Sequence, residues 1–204
     1  MEIILVSNNL IENNLIYKNI KYDKKKINVP LVEKNKDYAI RLSLISLFND
    51  VKSIYSSTDP SAKIFASYLG KRLNKNIYLS DKFNPQKNDK FSLEELKKIY
   101  FMQEHDFDIK TDNGESLNEV KRRINDEIER ILHLNKTDKI VIYTHRRCIL
   151  SYLSKYCKSL YNLEDQLILE YNDNIIYDGF LNDIDVYSII YEDNKLIDIN
   201  KLKL

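Results

Sequence analysis

A three-layer α/β fold, with a mainly parallel central sheet flanked by helices, is predicted for this 204-residue chain on two observations. Short apolar runs that end in turn-forming residues alternate with longer segments of helical spacing, and that alternation gives a layered fold with a largely parallel sheet. No internal repeat and no Gly- or Ser-rich linker interrupts the pattern, so residues 1–204 read as a single domain, long enough to bury a core.

The elements follow in order. Ile3-Ile4-Leu5-Val6 breaks at Ser7-Asn8-Asn9, as a buried strand opening into a loop does. The polar stretch containing Lys24-Lys25-Lys26 reads as a solvated loop. Pro30 to Phe48 carries helical spacing, with Tyr38, Leu42, Ile45 and Phe48 on one face. Val51 to Tyr55 is a short strand running into Ser56-Ser57-Thr58-Asp59-Pro60, where Asp59 can cap a helix whose first residue is Pro60 and which continues to about Leu73. Ile77 to Leu79 is another short strand, and the polar, Pro-containing stretch Asp81 to Lys90 is expected to be an exposed loop. Ser92-Leu93-Glu94-Glu95 is a capping box that opens a helix to about Phe101. A second box, Ser116-Leu117-Asn118-Glu119, opens a longer helix with Val120, Ile124, Ile128 and Ile131 inward. Lys139 to Tyr143 is a strand ending at Thr144-His145, with a helix from about Arg147 to Cys157 behind it. Val186 to Tyr191 and Leu196 to Ile199 read as two strands across an Asp193-Asn194 turn.

Composition narrows the function classes. Apolar residues make up 43% and charged residues 31%, as in a soluble globular protein. With 32 Lys and Arg against 31 Asp and Glu, the net charge of +1 gives no broad basic field, so nucleic acid is not an expected partner. The apolar runs are too short to span a bilayer, and the N-terminus lacks a signal-peptide pattern; the expectation is a cytoplasmic protein without a membrane partner. Cys148 and Cys157 form neither a zinc pattern nor a CxxC motif and read as buried thiols in a reducing compartment. His105 and His133 have no companions at metal-ligand spacing and read as surface or loop residues, so neither a metal nor another cofactor is expected. The fifteen tyrosines fall mostly in helix and strand patterns, where packing is the default role.

In open α/β sheets, ligands bind beyond the carboxyl ends of the strands. Three such ends are readable: Ser7-Asn8-Asn9, Ser56 to Ser61, and Thr144 to Arg147. The same places carry a family resemblance. Leu5-Val6-Ser7-Asn8-Asn9, with Asn14 further on, is similar to the opening LVRHGxTxxN of the histidine phosphatase superfamily, the phosphoglycerate mutase-like proteins of branch 1. Pro30-Leu31-Val32-Glu33-Lys34-Asn35 resembles PLTEKG, and Ile54-Tyr55-Ser56-Ser57 through Ser61-Ala62 and Ala66 resembles IYSSxxxRAxxTA. Gly114-Glu115-Ser116 matches the GES before a long helix, and Tyr143-Thr144-His145 matches the VSHGG segment. Asn182 to Tyr191 resembles the closing strand more weakly.

The resemblance implies a cradle of two Arg and two His, one of which takes up the phosphoryl group, and a carboxylic acid that protonates the leaving group. Carried over by position, the first Arg falls on Ser7, the nucleophilic His on Asn8 and the second Arg on Ser61; only the second His is kept, as His145. The acid falls near Asn84 or Pro85, with Glu104, Asp106 or Glu115 as nearby carboxylates. The nitrogen lone pair of Asn8 is delocalised into its carbonyl, so it cannot act as the nucleophile. Hydrogen bonds to charged groups are worth about 1.5–3 kcal/mol each, so three lost cradle members forfeit roughly 5 kcal/mol or more of phosphate stabilisation.

The remaining residues admit several roles. His145 is either a ligand contact aided by a helix N-terminus or a structural histidine. Arg146 and Arg147 stand where the family has glycines; they could supply substitute cations, lie on the surface, or fill the pocket with their bulk. Ser7 or Ser61 could pair with His145, although no orienting acid is evident. Asn14 and Glu115 are candidates for the pocket or its rim, and Glu115 also suits the first turn of a helix. The function expected is therefore that of a pseudophosphatase, inactive in the phosphohistidine mechanism and binding a small phosphorylated ligand or other anion, or a protein partner. The alternative is a phosphomonoesterase or phosphotransferase with a rearranged site centred on His145, with Arg146 or Arg147 as clamps.

Overall fold

The computed structural model describes residues 1–8, 29–134, 138–179 and 184–203, and the side chains of residues 8 and 29–35 lie outside that description. The sheet grows around β1 (Glu2–Asn8), whose Ile3 and Leu5 face one side while Ile4 and Val6 face the other. All four are buried, which explains a continuous apolar run where an alternating one would leave a face in water. On one side Ile4 and Val6 pack with residues of α1 (Val29–Ser43) and α2 (Pro60–Leu73), among them Ala39, Leu42, Phe65 and Leu69. On the other, Ile3 and Leu5 meet α4 (Leu117–Leu134) and α5 (Arg146–Leu153). The second helix of the chain to carry a capping box, α4, presents Leu117, Val120, Ile124, Ile128 and Ile131 at three- and four-residue spacing, all buried as expected. Each such side chain contributes about 1.5–3 kcal/mol of transfer free energy.

Parallel strands β2 (Ser53–Ser57), β3 (Ile77–Ser80) and β4 (Lys139–Thr144) complete one half of the sheet; β8 (Ile184–Glu192) and β9 (Lys195–Leu202) form the other, in the order β3-β2-β4-β1-β8-β9. β8 runs antiparallel to β1, and its hairpin with β9 turns at Asp193 and Asn194, both at positive φ (49° and 61°). Asp and Asn tolerate that conformation, and two such residues in succession match the twist of a tight hairpin. Helix α2 starts as the residue types require: Asp59 accepts the Ser61 N–H and Pro60 occupies the first turn. The predicted capping box at Ser92 is present at the head of α3 (Leu93–His105).

Four local expectations are corrected. The helix read through Phe48 stops at Ser43; Ile45 is extended (φ −67°, ψ 136°) and Ser46–Phe48 forms a separate 3-10 turn that still buries Phe48. The helix read through Cys157 ends at Leu153. The stretch Asp81 to Lys90 is not simply exposed, because a 3-10 turn at Asp81–Phe83 buries Phe83 completely, and Gln86 is buried too. A second antiparallel sheet, β5 (Lys158–Tyr161), β6 (Leu167–Tyr171) and β7 (Asn174–Tyr177), had no counterpart in the sequence reading. The Lys24–Lys26 stretch lies outside the described residues.

This small sheet is tied to α3 at His105. The ring lies between Phe101 and Tyr161, with centroids 4.4 and 4.6 Å away. Its Nδ1 is 2.9 Å from the Phe101 carbonyl and its Nε2 is 3.1 Å from the Asp165 carboxylate.

Candidate active site

The carboxyl ends of β1, β2 and β4 lie side by side, with Ser7 in register with Thr144 and Asp185. Of the residues carried over from the resemblance, Ser7 is fully buried, and its hydroxyl has no hydrogen-bond partner among the described residues. Asn8 closes β1, and its side chain is among those not described; Asn14 lies outside the described residues. Ser61 turns back on its own helix cap, its hydroxyl donating to Asp59 at 2.5 Å.

His145 follows β4 directly and occupies the N-cap position of α5 without a side-chain capping bond. Its Nε2 lies 3.1 Å from the hydroxyl of Ser57, the last residue of β2. Neither Ser7 nor Ser61 takes that place. Ser57 Oγ also donates to Asn84 Oδ1 at 2.7 Å and accepts the Asp59 N–H at 3.0 Å. The Asn84 amide is oriented without ambiguity, because a backbone N–H, that of Thr58, meets Oδ1 at 2.9 Å. Thr58 Oγ1 also donates to Asn84 Oδ1, at 2.8 Å, and the tautomer of the imidazole decides which of His145 Nε2 and Ser57 Oγ donates to the other. Desolvation by burial pushes the His145 pKa down to about 4; the Asp59 carboxylate opposes that shift and the Arg123 cation adds to it.

Asn84, one of the two positions near which the resemblance puts the acid (the other is Pro85), is held in place by a cation that no motif singles out. Arg123, on α4, forms a two-pronged ion pair with Glu115 at 2.9 and 3.0 Å. Its other bonds reach the carbonyls of Lys82 (2.5 Å), Asn84 (2.9 Å) and Pro85 (3.3 Å). Glu115 also accepts the Lys87 N–H at 2.9 Å. The pair is 14% and 15% exposed, so Glu115 is a strut of the loop bearing Asn84. Gly114 is needed there because a Cβ would stand 2.4 Å from Thr111 Oγ1 and 3.1 Å from the Lys87 carbonyl.

Arg146 and Arg147 are not solvated surface residues; both are buried. Arg146 donates to the Tyr177 hydroxyl and, at 3.0 Å, to the Gly179 carbonyl. Arg147 stacks 3.8 Å from the ring centre of Tyr100 and donates to Gln86 (2.5 Å) and Gln103 (2.8 Å), with Glu104 at 3.4 Å. Glu104 is thus engaged by Arg147, while Asp106 caps the C-terminus of α3 and its carboxylate accepts the Asp108 N–H. Cys148 and Cys157 are free thiols, and among the described residues no group of three His, Cys, Asp or Glu is placed to hold a metal. No described helix is long and apolar enough to cross a membrane.

The sequence profile described as histidine phosphatase superfamily (branch 1) matches residues 21–171, most of the chain. Among solved structures, a mycobacterial glucosyl-3-phosphoglycerate phosphatase complexed with VO3 superposes with a TM-score of 0.63 at 10% identity, covering 98% of this chain and 96% of the other. The phosphoserine phosphatase of Entamoeba histolytica gives 0.60 at 16% identity, again over 98% and 96%. The α-ribazole phosphatase of Shigella flexneri gives 0.59 at 11% identity, over 96% and 93%. Identities this low speak to fold alone. No curated protein matches the sequence.

Proposed function

Because the chain belongs to the histidine phosphatase superfamily, branch 1, we propose that it keeps the phosphoglycerate mutase-like scaffold without the phosphohistidine chemistry, and serves a binding or regulatory role. The reading is carried by the hydrogen-bonded cluster of Ser57, Asn84 and uncharged His145 at the strand ends. A phosphoryl group brings nearly two negative charges, and its transfer depends on cations that neutralise the developing charge. Here His145 is uncharged near pH 7, the Ser57 hydroxyl is already bonded to Asn84, to the Asp59 N–H and to His145, and Ser7 and Ser61 stand in place of arginines. The described cations closest in sequence to the site elements, Arg146 and Arg147, are engaged by Tyr177, Gly179, Gln86, Gln103 and Glu104. A small phosphorylated ligand would be held by hydroxyl and amide groups, which hydrogen-bond a phosphate without neutralising it.

The test is turnover of p-nitrophenyl phosphate and of a sugar phosphate by the full chain, with a search for alkali-stable phosphohistidine. The expected result is no product above background and no label on the protein. Hydrolysis that disappears in a His145→Ala variant would refute the proposal. One observation favours the second reading, a rearranged hydrolytic site: the 3.1 Å approach of His145 to Ser57. In that case Ser57→Ala would abolish turnover as fully as His145→Ala. A gain-of-function arm separates a degenerate pocket from a filled one: Ser7→Arg, Asn8→His and Ser61→Arg together should raise phosphate affinity in calorimetry.

A further inference from the structure

Gly114, which the close approach of Thr111 and Lys87 demands, follows an asparagine. The other two glycines of the chain follow Leu69 and Asp178, so Asn113 is the one asparagine with a glycine after it. A residue without Cβ leaves its main-chain nitrogen unshielded, within reach of the carbonyl carbon of the side chain before it. Asn113 is exposed at the crown of the turn from Thr111 to Gly114, which the Gly114 N–H closes on the Thr111 carbonyl at 3.2 Å. Its own N–H donates to the Asp89 carboxylate at 3.2 Å. The Thr111 side chain first, then the main-chain and side-chain amides of Asn113, hold the Asp89 carboxyl below the usual carboxylate range. The turn runs on into Glu115, whose N–H donates to the Lys87 carbonyl at 2.9 Å and whose carboxylate accepts the Lys87 N–H at 2.9 Å. It is thereby tied to the loop that bears Asn84.

We propose that Asn113 is a site of self-modification by deamidation, guarded by Asp89. The Gly114 nitrogen attacks the carbonyl carbon of the Asn113 side chain, and its proton leaves with the amide nitrogen as ammonia. Water then opens the cyclic imide at one carbonyl or the other, giving aspartate or isoaspartate. In the closed turn both reacting groups are engaged, the nitrogen by the Thr111 carbonyl and the side-chain amide by Asp89. The reaction therefore waits for the turn to open. Its product cannot close the turn in the same way. A carboxylate at position 113 faces the Asp89 carboxylate, and like charges sharing a site repel. The isoaspartyl form also lengthens the main chain by a methylene just before Glu115, the strut of the Asn84 loop. Modification of an exposed turn thus reaches the strand-end site through Gln86 and Lys87, both bonded to Glu115, whatever that site binds.

The full chain, kept folded in mildly alkaline buffer, should gain the mass of an amide turned carboxylate, and peptide mapping should place that gain at position 113. Isoaspartyl methyltransferase with a labelled methyl donor should label the same peptide. Asn113→Gln should abolish the label, because glutamine has to close a larger ring. In the urea-unfolded chain the reaction should run about 10-fold faster, since neither bond of the turn then restrains it. Asp89→Ala should speed the folded chain about 2- to 10-fold, the weight of one lost hydrogen bond. Asn113→Asp supplies the charge of the product without the reaction, and it should raise hydrogen exchange in the loop from Asn84 to Lys90 by about 3-fold or more. An Asn113 that stays fully amidated in the folded chain over about ten half-lives of the unfolded one overturns the proposal. So do equal rates in the folded and unfolded chains, or label spread evenly over other asparagines. An unchanged rate in Asp89→Ala, or unchanged exchange in Asn113→Asp, overturns it as well.

Discussion

His145, at the end of β4, has Nε2 against a serine hydroxyl and is kept neutral by its surroundings, while His105, at the end of α3, is pushed the other way. Both ring nitrogens of His105 face acceptors, the Phe101 carbonyl and the Asp165 carboxylate, and only the imidazolium has a proton for each. The two residues stand for two regions. At the strand ends the side chains are Ser7, Ser57, Ser61, Asn84 and His145; in the flank of α3, α4 and the small sheet the charges are Arg123, Arg146, Arg147, Glu104 and Glu115, each engaged by a named partner. The comparison teaches that cations near a pocket are not cations for the pocket. A buried charge persists where it is paired and hydrogen-bonded, and the flank supplies those partners.

The most disruptive way to break this comparison is Glu115→Ala. It leaves Arg123 buried without its carboxylate and frees the Lys87 N–H, and removing one partner of a buried pair costs about 3–5 kcal/mol. Urea unfolding should show the loss; a change under about 1 kcal/mol would mean that water reaches the pair and the flank is not what holds it. Acid comes next. The folded pKa of His145, about 4, lies below its ordinary value of 6.5, so the unfolded chain takes up the proton first as pH falls. Stability due to this residue is complete above pH 6.5 and declines towards pH 4, by up to roughly 3 kcal/mol. His145→Gln should remove that part of the pH dependence. Asp59→Ala should cost about 1 kcal/mol through loss of the α2 cap, and it should also release the Ser61 hydroxyl towards the strand ends. The smallest effect is expected at His105, with the opposite sign. The Phe101 carbonyl first, then Asp165, raise its pKa, with Glu104 assisting and burial opposing. Tyr161 stacks on the same ring. The stabilisation is full below pH 6.5 and disappears as pH rises through the higher folded value, so the difference in stability between the parent chain and His105→Gln should shrink on going alkaline, with the titration followed by NMR.

Much of the fold was legible because its signals are local. The Asp59-Pro60 helix start and the capping box at Ser92 use contacts within a few residues, the Ile3–Val6 run shows its burial in its own composition, and each appears in the structure. The small sheet was not legible, since β5 exposes three of its four residues, β7 exposes two of its four, and neither alternates cleanly. Its turn at Asn172 and Asp173 also lacks the glycine that usually marks a tight hairpin, both residues taking positive φ (48° and 62°) themselves. At the site, motif order located His145 and the loop of Asn84. Sequence order could not say that Ser57 would meet His145, because that contact joins residues from the ends of two strands that only the sheet makes neighbours. Nor could it find Arg123, whose partners are mainly backbone carbonyls and therefore leave no mark in residue type.

The place of β1 in the sheet also sets a timetable. Both of its ladders are made with strands from the second half of the chain, Glu2 pairing with Lys139 on one side and Ile190 on the other. While the chain is being synthesised, the Ile3–Val6 run emerges well before β4 and β8, the strands it joins. At about 5–20 residues per second that interval lasts on the order of 10–40 s, during which four adjacent apolar residues stay in water. Distant pairings of this kind also slow folding once the chain is complete, since the loop must close before the ladder rewards it. The strand that ends at the candidate site therefore waits longer for its neighbours in the sheet than β2 or β4 does, exposed to chaperones and to other nascent chains.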